Sequence, residues 1–580
     1  MAVPRLHASG EHLHQPTPPR PSAQLSDEVE LYQRTYTTLL RSSGETRLRI
    51  LEPSHASMRS SLHARAGDPE PDLGAFLYAM HRLPAQIWSA TVIVMGQEAQ
   101  AFSRAGIGDL EDWDPAEAPA RRRRWYDSGR GTLAVLLASA SDLDDLLPTL
   151  VAYQVEWNKV SAAVRAAPPA PASGVAPEDC ADALGGEPSD WARVGVSWDG
   201  GLEAFLAAAR DRRLNLRIRM LGGSEAGYAR LTRRWWSPVA RCLAEQGLEH
   251  APLYFVSSNT HSLVNLLTGS AREMEDEVVA FVEEHGTEDL REELHRLQDG
   301  RSEGSWENFL YYGARLLYGT LPEDGEEWQR RVARERETGI THLASRTALR
   351  VSAQVMALAR LDPAGLDPRL GTVDAARLAA SPAVIVNIEY PLGLGAYNIL
   401  REIAVAQDTL RGVYVLGKAA TLNADVGDVL ISSVIHDEHS GSTYWLDNAF
   451  SFDDIAPFLV FGSGLDNQRA VTVKSTFLQN REYLDFYYRE AYTVVEMEAG
   501  PFCNAIYEIA DAERYPTGEA VNFSKLPIDF GIIHYASDTP YTQARTLGAR
   551  GLSYFGMDST YASSLAILRR ILALEGIIGG

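Results

Sequence analysis

Residues 494–502 read VVEMEAGPF, which sets two carboxylates, Glu496 and Glu498, at the mouth of an apolar run. Forty residues on, HYASDTP ends a second apolar run on Ser537 and Asp538. The carboxyl ends of buried parallel strands are where α/β folds keep their ligands. A carboxylate there is an acceptor for sugar hydroxyls, through short charge-assisted bonds. The same residues also fit plainer roles: Glu498 as a strand-end acid, and Asp538, with TPYTQAR after it, as a helix N-cap. Lys418, directly after Gly417 in VYVLGKAATL, is one of only four lysines among 54 basic residues. His436 and His439 in VIHDEHSG lack a clear third ligand, so no metal site is expected.

The elements that must position these groups are most legible after residue 381. SPAVIVNIEYPLGLGAYNILREIAVA reads as a buried strand, a loop punctuated by Gly393 and Gly395, and a helix. LRGVYVLGKAATLNADVGDVLIS repeats that arrangement around Gly417, and AVTVKSTFL, TVVEMEAGPF and FGIIHYASD supply three more apolar strands. Such runs, alternating with helices, imply a mixed sheet covered on both faces. Residues 371–580 are therefore expected to form an α/β unit.

Upstream, residues 1–24 read as a disordered tail and 25–165 as helical, from three- and four-residue apolar spacing. A linker rich in Ala, Pro and Gly is expected at 166–190. A mixed α/β and helical region follows at 191–370, with strands in LNLRIRMLGG and APLYFVSSN. The chain of 580 residues is too long for one core, and its formal charge of -23 argues against nucleic acid as a partner. The run Arg121–Arg124 is expected on a solvated face. Three widely spaced cysteines suggest a reducing compartment, and no apolar run is long enough to span a bilayer. Cytoplasmic placement without membrane contact is expected.

Residues 381–580 resemble the nucleoside phosphorylase and nucleosidase superfamily. Four motifs carry the likeness, in the family's order: PLGLGAYNIL, VYVLGKAATLNADVGDVLIS, STFL followed by VVEMEAG, and ASD. The resemblance implies that Glu498, with Glu496 and Met497, holds the ribose and that Phe477 stacks on the base. It puts Asp538, positioned by Ser537, at the leaving base as the catalytic acid. Gly393, Gly395, Gly417 and Lys418 would border the phosphate or water site, with no cofactor other than inorganic phosphate as co-substrate. It further implies cleavage of the N-glycosidic bond of a purine nucleoside or nucleotide by a homo-oligomer.

A non-catalytic nucleotide-sensing module that regulates the N-terminal region is the alternative. Three departures from the family bear on the choice. VYVLGKAATL has no arginine, the family's opening strand finds a candidate only at 252–258, and DAERYPTGEAVNFSKLPIDF lengthens the interval before Asp538. Hydrolysis and phosphorolysis both stay open.

Overall fold

VIVMG and TLAVL are apolar runs of five residues, a length that suits a buried strand as well as a piece of helix. In the computed structural model both are strands. The structure describes residues 23–41, 44–167, 175–322, 325–407, 409–510, 518–538 and 554–579. Nearly all of the expected tail, the centre of the expected linker, residues 511–517 and the TPYTQAR segment lie outside the described residues.

The first layer is a six-stranded sheet. Its strands are β1 (Thr46–Arg47), β2 (Val92–Gly96), β3 (Asp114–Ala118), β4 (Arg121–Asp127), β5 (Thr132–Leu136) and β6 (Arg217–Leu221). They lie in the order β1-β6-β2-β5-β4-β3, with β2 parallel to both β5 and β6. The expectation of a helical region over 25–165 is corrected here. Helical periodicity does hold for Leu73–Met80 and Ser141–Ala166, but the strands between them are too short to show a period. The linker is also smaller than expected: Pro177–Leu184 and Pro188–Ser197 are helices, each begun by a proline whose missing N–H costs nothing at that position.

The second sheet has eleven strands. They are β7 (Leu253–Ser258), β8 (Ile340–Leu343), β9 (Ala353–Ala357), β10 (Val384–Glu389), β11 (Leu410–Thr421), β12 (Val429–Asp437), β13 (Thr443–Trp445), β14 (Gly464–Thr472), β15 (Tyr492–Glu496), β16 (Ala520–Asn522) and β17 (Asp529–Asp538). β7 lies between β10 and β11 and runs parallel to both. β17 pairs with β11 on one side and β12 on the other, so β12, β14, β15, β11 and β17 close into a ring. The sheet draws β7, β8 and β9 from before residue 371, so a boundary there would cut through hydrogen-bonded strands.

The two sheets share their cores. One cluster joins Ile93, Val135 and Trp157 of the first layer to Val434, Phe477 and Val495 of the second. Another joins Val92 and Val94 to Phe255, Val386 and Val415. Burial of this continuous apolar surface removes it from water, which is the main force holding the layers together.

Candidate functional site

A cavity of about 1120 Å³ opens where the two layers meet. The carboxyl ends of four strands reach it: Tyr390 follows β10, Lys418 lies in β11, Met497 and Glu498 follow β15, and Ser537 and Asp538 end β17. Residues from β4 of the first layer complete the wall.

The acids in it are held away from their usual state. Burial first, and the neighbouring Glu496 second, push Glu498 up to about 8, against the pull of Arg121 and Arg122. Glu496 is itself pushed up to about 7 by burial. Its carboxylate is already engaged: one oxygen accepts from the N–H groups of Glu498 and Ala499 at 2.6 and 2.7 Å, and the other accepts from the Thr472 hydroxyl. Glu496 therefore caps the helix Ala499–Ala510, an N-terminal place that favours an acid, although it borders the cavity. His534 lies behind it with Nε2 at 3.9 Å, and burial lowers the ring to about 4, so it is neutral at pH 7.

Asp538 is raised by burial, against a 3.1 Å bond from the Ser537 hydroxyl and the charges of Lys418 and Arg82. Ser537 also reaches the carbonyl of Ala419 at 3.3 Å, which ties the end of β17 to β11. Lys418 reaches the cavity with its exposed side chain. Burial of its surroundings and then the charge of Arg315 lower its pKa, while Asp538 opposes them. Lys418 forms no ion pair with Asp425 or Asp428; Asp428 accepts instead from the backbone of Asp425 and Ser463.

Three expected site residues are placed elsewhere. Phe477 is fully buried against Tyr78, His55 and His63, with ring centroids 5.2, 6.0 and 6.3 Å away, and it does not line the cavity. Gly417 lies within β11 rather than in a loop, where a Cβ would stand 3.5 Å from the His534 ring. Gly393 has φ +50°, and a Cβ on it would meet the Ser141 hydroxyl at 2.3 Å. That hydroxyl accepts from the Leu394 N–H at 2.9 Å and lies 3.2 Å from His439 Nε2. His439 Nδ1 in turn lies 2.9 Å from Asp437, so this chain of bonds fastens the glycine loop to the first layer. Of the three glycines only Gly395 borders the cavity. No group of three or more His, Cys, Asp or Glu side chains able to hold a metal occurs among the described residues. No helix there is long and apolar enough to cross a membrane.

The sequence model of a family of unknown function, DUF6909, matches residues 48–573. The chain belongs to the DUF6909 family. No curated protein matches it. Solved structures similar to part of this DUF6909 chain include nucleosidases and nucleoside phosphorylases, at low TM-score. A putative methylthioadenosine nucleosidase from Weissella paramesenteroides is 10% identical over 43% of this chain and 95% of its own, with TM-score 0.27. A methylthioadenosine/S-adenosylhomocysteine nucleosidase from Colwellia psychrerythraea, solved with adenine, is 12% identical over 40% and 88%, with TM-score 0.27. A uridine phosphorylase from Vibrio fischeri is 14% identical over 43% and 86%, with TM-score 0.25.

The DUF6909 cavity also contains groups that the sequence reading left out. Arg121 and Arg123 face it from β4, together with Arg82 and Arg315. Their run was expected on a solvated face, but a strand alternates its sides every residue. Arg123 and Trp125 are thereby buried, while Arg122 reaches over to Glu389 and the Tyr390 carbonyl. The signal was present: RRRRWYD continues the arginines into two aromatic residues, as a half-buried strand does.

The proton on Glu498 gives a pH prediction. In the empty site it is largely protonated at pH 7, and a ligand that donates hydroxyls to the carboxylate releases that proton on binding. If Glu498 takes a sugar's hydroxyls, as the resemblance implies, affinity for a sugar-bearing ligand is expected to rise with pH by up to about tenfold per unit, levelling off above about 8. Titration calorimetry from pH 6 to 9 reads this, and a flat profile removes Glu498 from the sugar. For folding the sign is opposite: a raised carboxyl pKa means that stability falls as pH rises from the unfolded value toward about 8. Glu498→Gln should then melt no lower than the parent at pH 8.

Proposed function

We propose that the protein cleaves the N-glycosidic bond of a purine nucleoside or nucleotide. The observation that carries this reading is that Glu498 and Asp538, from two strand ends, and Lys418, from within β11, share one cavity. In this reading Glu498 takes the ribose hydroxyls, Met497 lies against the sugar and Asp538 faces the base. As the C–N bond breaks, its electron pair passes to the base, which takes a proton from Asp538. A water or phosphate oxygen adds to the anomeric carbon; a water that adds loses a proton, which restores Asp538. With Phe477 sealed in the core, Tyr390 is the ring on the β10 side of the cavity that can lie against a base.

The sealing of Phe477 favours a second reading, in which a nucleotide is bound and sensed without being cleaved. Incubation with a panel of nucleosides and nucleotides, with and without phosphate, separates the two: free base detected by chromatography supports cleavage, and none with any member overturns it. Lys418→Ala refines the result. It should weaken binding of free phosphate by roughly tenfold, the size of a lost charge-assisted bond, while sparing an uncharged nucleoside. Equal effects on all ligands, or none, would leave Lys418 as structure.

A further inference from the structure

We propose that the ligand is a nucleoside 5′-monophosphate and that Arg123, with Arg82 and Arg121 from the first layer, binds its phosphate; this rests on the nucleoside reading of the cavity.

Arg123 is the strongest indication. Its side chain is 4% exposed, and two of its nitrogens are committed: Nε donates to Asp142 at 2.8 Å and Nη2 to Asp145 at 2.7 Å. Its third nitrogen, Nη1, is buried with no hydrogen-bond partner among the described residues, and the residue lines the cavity. A buried guanidinium N–H without an acceptor is costly, and Arg123, which lines the cavity, is thus short of one acceptor that a bound anion can supply. Arg121 is held beside it by two bonds to Asp145, at 3.0 and 2.9 Å. Arg82 is buried with its guanidinium carbon 3.4 Å from the centroid of the Tyr78 ring, which fixes its plane. Planar, oriented guanidiniums match a phosphate group with three oxygens better than any neutral acceptor.

The balance of charge agrees. Seven arginines and lysines line the cavity against five carboxylates, and burial drives three of those five, Glu496, Glu498 and Asp538, toward the neutral form. The empty site is thus positive, although the whole chain is acidic.

Position chooses the carbon. Arg82, Arg121 and Arg123 line the same cavity as Glu498 and Asp538; the charge of Arg121 acts on Glu498, and those of Lys418 and then Arg82 act on Asp538. With the 2′ and 3′ hydroxyls on Glu498 and the base at Asp538, the free end of the sugar is its 5′ carbon. Lys418 belongs to a different group: it and Arg315 also border an adjoining recess of about 190 Å³ beside Asn259 and His261. Together the two volumes exceed the range of roughly 300–1,000 Å³ usual for a small-ligand site, which leaves room for a second anion.

The test uses the full chain and ribose 5-phosphate as the probe, because it carries the proposed phosphate whatever the base. Calorimetry is expected to show ribose 5-phosphate binding at least about tenfold more tightly than ribose, and AMP or GMP more tightly than adenosine or guanosine by a similar factor. Arg123→Gln should abolish that preference. Because it also takes one partner from each of Asp142 and Asp145, Arg82→Gln serves as a second variant without an ion pair to either, expected to reduce the preference roughly tenfold. Inorganic phosphate distinguishes the sources: competition by phosphate equal to that by ribose 5-phosphate, unaffected by either variant, overturns the proposal. So does equal binding of phosphorylated and unphosphorylated ligands. The catalytic reading fails separately. Arginine-dependent binding of ribose 5-phosphate without release of base from any nucleotide overturns cleavage and leaves the phosphate site standing. Release from nucleosides but not nucleotides does the reverse.

Discussion

Asp538→Asn is expected to lower turnover on the order of 10²-fold with little change in substrate affinity, while Glu498→Gln lowers affinity and turnover together. The asparagine keeps the shape and the 3.1 Å contact with Ser537, but it has no proton to give a departing base. Burial raises Asp538 and so favours the protonated form, and the loss should be smallest where the parent is itself deprotonated. The Glu498 variant behaves differently because, in the proposed reading, its role is to accept. An amide offers one acceptor oxygen where a carboxylate offers two, so one sugar hydroxyl loses its partner in both the bound and the transition state. Release of free base, measured across substrate concentrations for both variants, gives kcat and KM. Full activity in both removes these residues from the site.

Phe477→Ala is expected to cost about 3–5 kcal/mol of stability, the range for deleting a fully buried aromatic ring. The ring lies edge-on to Tyr78 at 5.2 Å and beside the His55–His63 pair, whose second ring bonds Glu156 at 2.6 Å. The hole would therefore open next to a buried charged network as well as in apolar surface. Thermal unfolding reads the loss. A ring that stacked on a substrate base would give the opposite pattern: unchanged melting with weakened binding of base-bearing ligands.

The fate of Phe477 shows what the sequence could and could not disclose. STFL keeps its place before VVEMEAG, but whether a phenylalanine faces a ligand or a neighbouring layer depends on what packs there. Here that is a helix more than three hundred residues earlier in the chain. That Glu498, Asp538 and Lys418 border one cavity could be foreseen because each stands at a strand end or beside a glycine in a stretch where apolar runs and polar residues follow each other closely. The strands of that stretch read well for the same reason, and Leu253–Ser258 was visible as a strand without its partners. Glu496 looked equivalent to Glu498 on spacing alone, yet the turn into the next helix gives it backbone N–H groups to cap. The arginine face was hidden by charge: a run of four reads as solvated until Asp142 and Asp145, on a helix of the same layer, supply its partners.

The pairing of Ser61 with the carbonyl of Gln479 joins positions 418 residues apart. At a synthesis rate of about 5–20 residues per second, the first of these waits on the order of twenty to eighty seconds for the second to be made. Throughout that interval the early layer presents to the cell the apolar side that Val434, Val471 and Phe477 later cover. A nascent chain in that condition is a client for holding chaperones, and faster translation would shorten its exposure. Yield in a heterologous host should therefore respond more to codon choice between the two layers than to any change within either one.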